Sequence, residues 1–336
     1  MSNNAFGIDL GTSNIKIYTR ADDKILVEKN MIAIENKNSL FAYGDSAFEM
    51  YEKAPGNIRI SYPLSNGVIA DIKNMELLIK YFINDLTRSN VKQGDYYIAV
   101  PTDVTEVEKR AFYDLVRDAG VKAKRVLVVE KAVADGLGLD IDVKNSQGVL
   151  IVNVGFDTTE ISILSLGGIV LSRLIKVGGQ KFDDAIRSAV RREFSLIIGG
   201  KTAENVKMSL CDLEKAGKGA VVYGRDIVTG LPVERELPTN LIDESLIEHF
   251  HMIIDNIKVI LERTPPELAA DIYRHGIYLT GGASQVNHLP ELIQKGTGLK
   301  VNIAENPVTS VALGLSKIIK DDNYKSVAYA IEGMSK

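Results

Sequence analysis

Apolar residues in this chain fall alternately into short continuous runs closed by glycine-bearing turns and into longer runs spaced three and four apart. Ala5–Leu10 reads as a strand, Gly11-Thr12-Ser13-Asn14 as a turn and Ile15–Thr19 as a second strand. A weaker, strand-rich stretch follows to about Pro63. Met75, Leu78, Ile79, Phe82, Ile83 and Leu86 recur at helical spacing and predict an amphipathic helix. Tyr96–Val100 predicts a strand ended by Pro101. Asp103 with Glu106 has the spacing of a capping box for a helix carrying Val104, Val107, Ala111, Phe112, Leu115 and Val116, with Gly120 as its stop. Arg125–Val129 predicts another strand, followed by a helix of small residues over Glu130–Gly138.

The opening pattern then returns. Gly148–Val154 predicts a buried strand, Gly155-Phe156-Asp157-Thr158 a turn, and Thr159–Ser165 a strand leading through Leu166-Gly167-Gly168 into Ile169–Val177. Strand–turn–strand at both Asp9-Leu10-Gly11 and Asn153-Val154-Gly155 points to an internal duplication. Helices are predicted near Lys181–Phe194 and Thr202–Leu210, and a strand pair around Ala220–Leu237. A long helix over Leu241–Arg263 is stopped by Pro265-Pro266. Gly276–Thr280 predicts a strand feeding Gly281-Gly282, and Val308–Lys320 a helix. A chain of 336 residues is long for one core and suits two lobes. The predicted class is α/β: two related mixed sheets flanked by helices, with a ligand cleft between them.

Composition narrows the function. The chain is 45% hydrophobic and 25% charged, ordinary for a globular protein. A net charge of −4 argues against a nucleic-acid partner, which requires a basic face. Cys211 stands alone, so no disulfide framework or cysteine-rich metal site is expected, in keeping with a reducing cytoplasm. Of four histidines, His249 and His251 are closest, and their spacing of two puts them on different helix faces. No apolar run reaches the length of a membrane span. Met1-Ser2-Asn3-Asn4 lacks the basic and apolar regions of a signal peptide, so none is expected.

Three glycine-bearing turns close predicted strands. In the first, Gly11 lets the backbone approach a phosphate, while Thr12, Ser13 and Asn14 offer consecutive N–H groups that form an anion-binding nest. Asp9 is placed to hold Mg²⁺ through water. The plainer alternative is a hairpin whose buried aspartate caps its own turn. The second turn, Gly155–Thr158, would grip phosphates from the opposite lobe. The third, Thr280-Gly281-Gly282-Ala283, lacks bulky side chains and would admit a flat nucleoside. All three in this order on a duplicated chain are far more specific than any one.

The run Phe6-Gly7-Ile8-Asp9-Leu10-Gly11-Thr12-Ser13-Asn14 resembles the first phosphate motif of the superfamily that holds actin, the heat-shock chaperone ATPases and the sugar kinases. Within it the chain resembles MreB, the bacterial actin. The similar passages include Ala54-Pro55-Gly56-Asn57-Ile58, Asn66-Gly67-Val68-Ile69-Ala70-Asp71, Gly224-Arg225-Asp226-Ile227-Val228-Thr229-Gly230-Leu231-Pro232 and Thr264-Pro265-Pro266-Glu267-Leu268. The resemblance covers nearly the whole chain. It implies the actin-like ATPase fold, two duplicated ribonuclease-H-like lobes around a nucleotide cleft, each with a smaller subdomain. Lobe I would span 1–146 with an insertion at about 31–66, lobe II 147–316 with an insertion at about 181–244, and 317–336 would return to lobe I. It further implies ATP and Mg²⁺ as ligands, assembly into paired protofilaments, and Glu204 and Lys207 beside the adenosine.

The chain also departs from that pattern. MreB sequences carry Glu-Glu-Pro where this chain has Glu130-Lys131-Ala132, and the second glutamate is the family's water-polarising residue. The usual Asp-x-Gly-Gly-Gly-Thr is here Asn153-Val154-Gly155-Phe156-Asp157-Thr158. An ammonium with an ordinary pKa near ~10.4 is no base, and losing a positioned base forfeits about 10²–10⁴-fold in rate. Asp9, Lys131, Asn153, Asp157 and Thr158 are thus the candidate reaction residues, with nucleotide binding kept and hydrolysis weakened. Two roles stay open for Asp157: pairing with Lys131 across the cleft, or polarising water itself. These departures resemble divergent paralogues of wall-less helical bacteria such as spiroplasmas, where such proteins are linked to helicity and swimming.

By this resemblance the partners are other copies of the chain and paralogous filament proteins. Few residues precede the first strand and the loop Thr87–Asp95 is polar, so membrane association is expected through a partner rather than directly. The competing classes are a chaperone or activator ATPase of the heat-shock type, which would need a peptide-binding domain, and a small-molecule kinase, which would need a carboxylate base such as Asp157.

Overall fold

In the computed structural model, which describes residues 4–37, 39–90 and 92–331, the apolar run Ala5–Leu10 forms β1, buried at every position. The expectations placed on Met1–Asn3, on Val91 of the Thr87–Asp95 loop and on residues 332–336 lie outside the described residues. β1 turns at Gly11 into β2 (Asn14–Thr19) and then β3 (Lys24–Lys29), an antiparallel meander. A small sheet follows, made of β4 (Ile32–Glu35), β5 (Ser39–Tyr43) and β6 (Ile58–Ser61), with α1 (Gly44–Met50) between the last two. β7 (Leu64–Ser65) and β8 (Val68–Ile69) are joined by Asn66 and Gly67, at φ +51° and +79°. Two left-handed residues are what a two-residue hairpin turn of the right twist demands.

The chain returns to the first sheet through α2 (Ile72–Leu86), β9 (Gly94–Val100), α3 (Glu106–Asp118) and β10 (Ala123–Glu130), and runs directly into α4 (Lys131–Gly138). The capping box of α3 is Thr105 with Glu108, not Asp103 with Glu106. Asp103 is occupied elsewhere, its carboxylate accepting the Leu174 N–H at 3.1 Å.

The second half repeats this plan with β11 (Val149–Val154), β12 (Thr159–Ser165) and β13 (Gly168–Ile175) as its meander. Next come α5 (Gly179–Phe194), β14 (Leu196–Ile197), α6 (Gly200–Ala216), β15 (Ala220–Asp226), β16 (Pro232–Leu237) and α7 (Thr239–Arg263). α8 (Pro266–His275), β17 (Ile277–Thr280), α9 (Leu289–Thr297), β18 (Val301–Ile303), α10 (Ser310–Lys320) and β19 (Ala328–Tyr329) complete it. The proline pair read as a stop is also a start: Pro266 is the first residue of α8, where its missing N–H costs nothing.

One sheet has the order β19-β10-β9-β1-β2-β3 and the other β13-β12-β11-β17-β18. In each, an antiparallel meander adds two parallel strands beside its first strand. The duplication extends to single bonds: Gly11 N–H donates to the Asn14 carbonyl at 3.1 Å, and Gly155 N–H to that of Thr158 at 2.8 Å.

Each sheet has its own apolar core, and a third core lies between them around α4 and α10, with Val133, Leu137, Leu315 and Ile318 buried. The two helices cross at backbone contact. A Cβ on Gly138 would lie 1.8 Å from the Ser310 carbonyl oxygen, and one on Gly314 would lie 1.7 Å from that of Ala134. Gly138→Ala therefore forces the helices apart, and overpacking that backbone cannot relieve is expected to cost about 3 kcal/mol. Urea denaturation checks this against Gly56→Ala, whose added Cβ meets nothing within 4 Å; equal stability of the two variants would contradict the crossing.

Candidate functional site

A cavity of about 540 Å³ opens between the two sheets. All the residues singled out from the sequence line it: Asp9, Gly11–Asn14, Lys131, Asn153, Gly155–Thr158, Glu204, Lys207 and Gly281–Ala283. The first two turns each project from the end of a meander's first strand. The second is fixed from behind, because the Gly155 and Phe156 carbonyls accept the N–H groups of Gly179 and Gln180, at 3.0 and 2.7 Å, at the start of α5. The third turn packs on the second. Gly281 has φ +90°, and a Cβ there would lie 2.3 Å from the Val154 carbonyl oxygen.

Charge on the cavity floor is set by strand register. Asp9 faces Lys16 across β1 and β2, and Asn153 faces Glu160 across β11 and β12, each pair seven residues apart in sequence. The first pair balances itself, with Lys16 Nζ 3.1 Å from Asp9 Oδ2. The second pair leaves Glu160 unmatched, and Lys131 completes it with Nζ 3.2 Å from Glu160 Oε1. The other Glu160 oxygen accepts Thr102 N–H and Oγ1–H, both at 3.3 Å. Burial works against the Lys131 charge, but the Glu160, Asp9 and Asp135 carboxylates outweigh it and hold the pKa above the ordinary lysine value.

Lys131 and Asp157 do not pair. Lys131 is held by Glu160, while Asp157 Oδ2 accepts the Asn66 N–H at 2.8 Å. Asn153 has a reason of its own to be an amide: its Nδ2 donates to Asp135 Oδ2 at 2.5 Å, where an aspartate would set two carboxylates together. Burial pushes Asp135 up to about 6, against hydrogen bonds from Ser310 and Asn153 and the charge of Lys131. Lys207, expected beside an adenosine, lies 2.7 Å from Asp183, whose carboxyl burial also pushes up to about 6.

Lys16, Glu160 and Asp135 also belong to the site, outside the motifs that mark it in the sequence. Lys16 and Glu160 were within reach, since a four-residue turn makes residues seven apart cross-strand partners. Asp135 lay one helical turn after Lys131 on the same face.

As a donor set, the cavity offers Lys16, Lys29, Lys131 and Lys207 together with the turn amides, a good match for a polyphosphate. The nearly buried Asp9 carboxylate, 2% exposed, is an oxygen donor of the kind that would suit a hydrated Mg²⁺.

Comparison with known proteins agrees with this geometry. The MreB/Mbl protein family matches residues 3–326. The cell shape-determining protein Mbl of Bacillus subtilis is 36% identical over 315 residues, 92% of this chain and 93% of the relative. The crystal structure of MreB 5 of Spiroplasma citri bound to AMPPNP superposes with TM-score 0.89 at 35% identity, covering 97% of this chain and 98% of that one. The MamK double helical filament shares the fold, with TM-score 0.78 at 20% identity and coverage of 95% and 99%.

The raised Asp135 pKa makes stability depend on pH. A folded value near 6, above the ordinary 3.8, means that folding favours the protonated acid. The stability this group contributes is complete below about pH 4 and is lost as pH rises through about 6. Asp135→Asn should therefore gain on the parent in melting temperature as pH rises from 4 to 7. Parallel curves for the two proteins would contradict the assignment.

Proposed function

This chain belongs to the MreB/Mbl family and has the actin-like fold, and from that premise we propose that it is an ATP-binding filament subunit of the cytoplasmic cytoskeleton that hydrolyses ATP slowly. The observation that carries the reading is the Lys131–Glu160 ion pair on the cleft floor. The amides of Thr12–Asn14 and Phe156–Thr158 bind the phosphates from the two lobes, in turns that the Gly11 and Gly155 N–H groups close. Asp9 would hold Mg²⁺, which would supply charge neutralisation at the phosphates. Glu204 and Lys207 flank the adenosine, and Gly281–Ala283 admit its base. Lys131 occupies the position of the family's water-polarising glutamate as a cation whose pKa its carboxylate neighbours hold high, so it takes no proton from water. Asp157 is turned to the Asn66 amide, which supports a structural role for it over that of a replacement base.

The filaments act on cell shape, by analogy with the relatives named for that role. The likeness to MreB 5 of Spiroplasma citri supports the resemblance to paralogues of wall-less helical bacteria. Copies of this chain and paralogous filament proteins are its partners, and one of these supplies any membrane attachment; no helix among the described residues is long and apolar enough to cross a membrane.

Two experiments test the reading. Val107, one of the apolar positions that predict α3, is 79% exposed instead of packed in the core, and we read it as a contact between paired protofilaments. Val107→Glu should leave a nucleotide-binding monomer while lowering pelleting with ATP; unaltered double filaments in electron micrographs would refute the contact. For the chemistry, Lys131→Glu should raise single-turnover phosphate release at least tenfold, about 1.4 kcal/mol of barrier. The new carboxylate would face Glu160, which raises its pKa, so the gain should grow from pH 6.5 to 8.5. A parent that matches the variant in rate would show that another group activates water.

A further inference from the structure

The second phosphate turn does more than border the cavity. Phe156 and Asp157, the two side chains that replace glycines of the family pattern, both reach across the cleft to the 62–67 segment of the first lobe. The Phe156 ring lies 5.7 Å from that of Tyr62 between centroids, tilted by 43°. Tyr62 is packed in turn against Tyr51, at 6.0 Å. Asp157 Oδ2 accepts the Asn66 N–H at 2.8 Å. That amide belongs to the left-handed Asn66-Gly67 turn, and a Cβ built on Gly67 would stand 3.6 Å from Thr158 Cγ2, so the turn also rests on the loop itself. Glycine at 156 and 157 would supply neither a ring nor a carboxylate.

We propose that Phe156 and Asp157 make the second phosphate turn a strap that holds the two lobes closed without nucleotide, so that closure in this chain does not wait for a γ-phosphate. In an unstrapped cleft, the phosphates are what both lobes grip, and nucleotide binding drives closure in proportion to its preference for the closed form. Here a protein–protein hydrogen bond to a charged acceptor and an aromatic contact already favour that form. Outer contacts reinforce it: Glu52 accepts the Gly200 N–H at 3.0 and 3.2 Å, and Lys201 Nζ sits 4.2 Å over the Phe48 ring. The strap thus keeps the chain in one conformation across nucleotide states. The inference rests on reading the cavity as the nucleotide cleft.

The test measures the distance across the cleft. Spin labels at Arg59→Cys and Lys218→Cys, both exposed positions, in a Cys211→Ser background give distance distributions by pulsed dipolar spectroscopy without nucleotide and with AMPPNP. The parent should give the same short, narrow distribution in both. Phe156→Gly with Asp157→Gly should open without nucleotide and close with it. Asp157→Asn, which keeps an acceptor oxygen for the Asn66 amide, should remain closed. A nucleotide-free parent as open as the double variant, or a double variant that stays shut, overturns the strap. Titration of the unlabelled parent with a fluorescent ATP analogue separates the two readings: failure to bind would defeat the proposed cleft, whereas the nucleotide-free distances judge the strap independently.

Discussion

A carboxylate on the floor of a shielded cleft must have a counter-charge, and this condition organises the site. The duplicated hairpins pose the problem twice with different residues. In the first, Asp9 and Lys16 face each other and the balance is local. In the second, Asn153 faces Glu160 and contributes no charge, so the cation comes from Lys131 at the start of α4. A cation at a helix N-terminus is opposed by the helix dipole, and burial opposes it further. It persists because the surrounding carboxylates outweigh the burial. Breaking one partner of a well-buried pair costs about 3–5 kcal/mol; with the lysine side chain 17% exposed, the cost here is lower. Lys131 is therefore part of an ion pair as well as a departure from a catalytic pattern.

The fold makes that pair possible through α4. The helix leaves β10 with no intervening loop, so its first residue is fixed by the end of a central strand. Its other end is fixed by the glycine-mediated crossing with α10. Between them, Asp135 reaches Asn153 of the other sheet. Both ionisable groups of α4, Lys131 and Asp135, thus contact the second lobe, and the position of the helix couples the core to the site.

Much of this was legible in the sequence, for identifiable reasons. Ala5–Leu10 and the run ending at Val154 announce central strands because a strand covered on both faces is apolar throughout. The glycine turns announce themselves because few other residues allow such approach. Helix starts were less clear: Asp103 and Glu106 have the capping spacing, but Thr105 and Glu108 have it as well, and only the contact of Asp103 with Leu174 separates them. α9 and β18 are short elements whose patterns are weak outside their packing. The cross-cleft contacts were illegible for a different reason. Asn66 and Asp157 are 91 positions apart, and the donor is a backbone amide, which leaves no mark on residue identity.

On the proposed function, the chain assembles with ATP and keeps it because the cleft holds a cation where a base is needed. The nucleotide content of assembled filaments tests this most directly. Filaments grown with Mg-ATP, pelleted after prolonged incubation, denatured and analysed by anion-exchange chromatography should contain mostly ATP. Pellets containing mostly ADP would contradict the account.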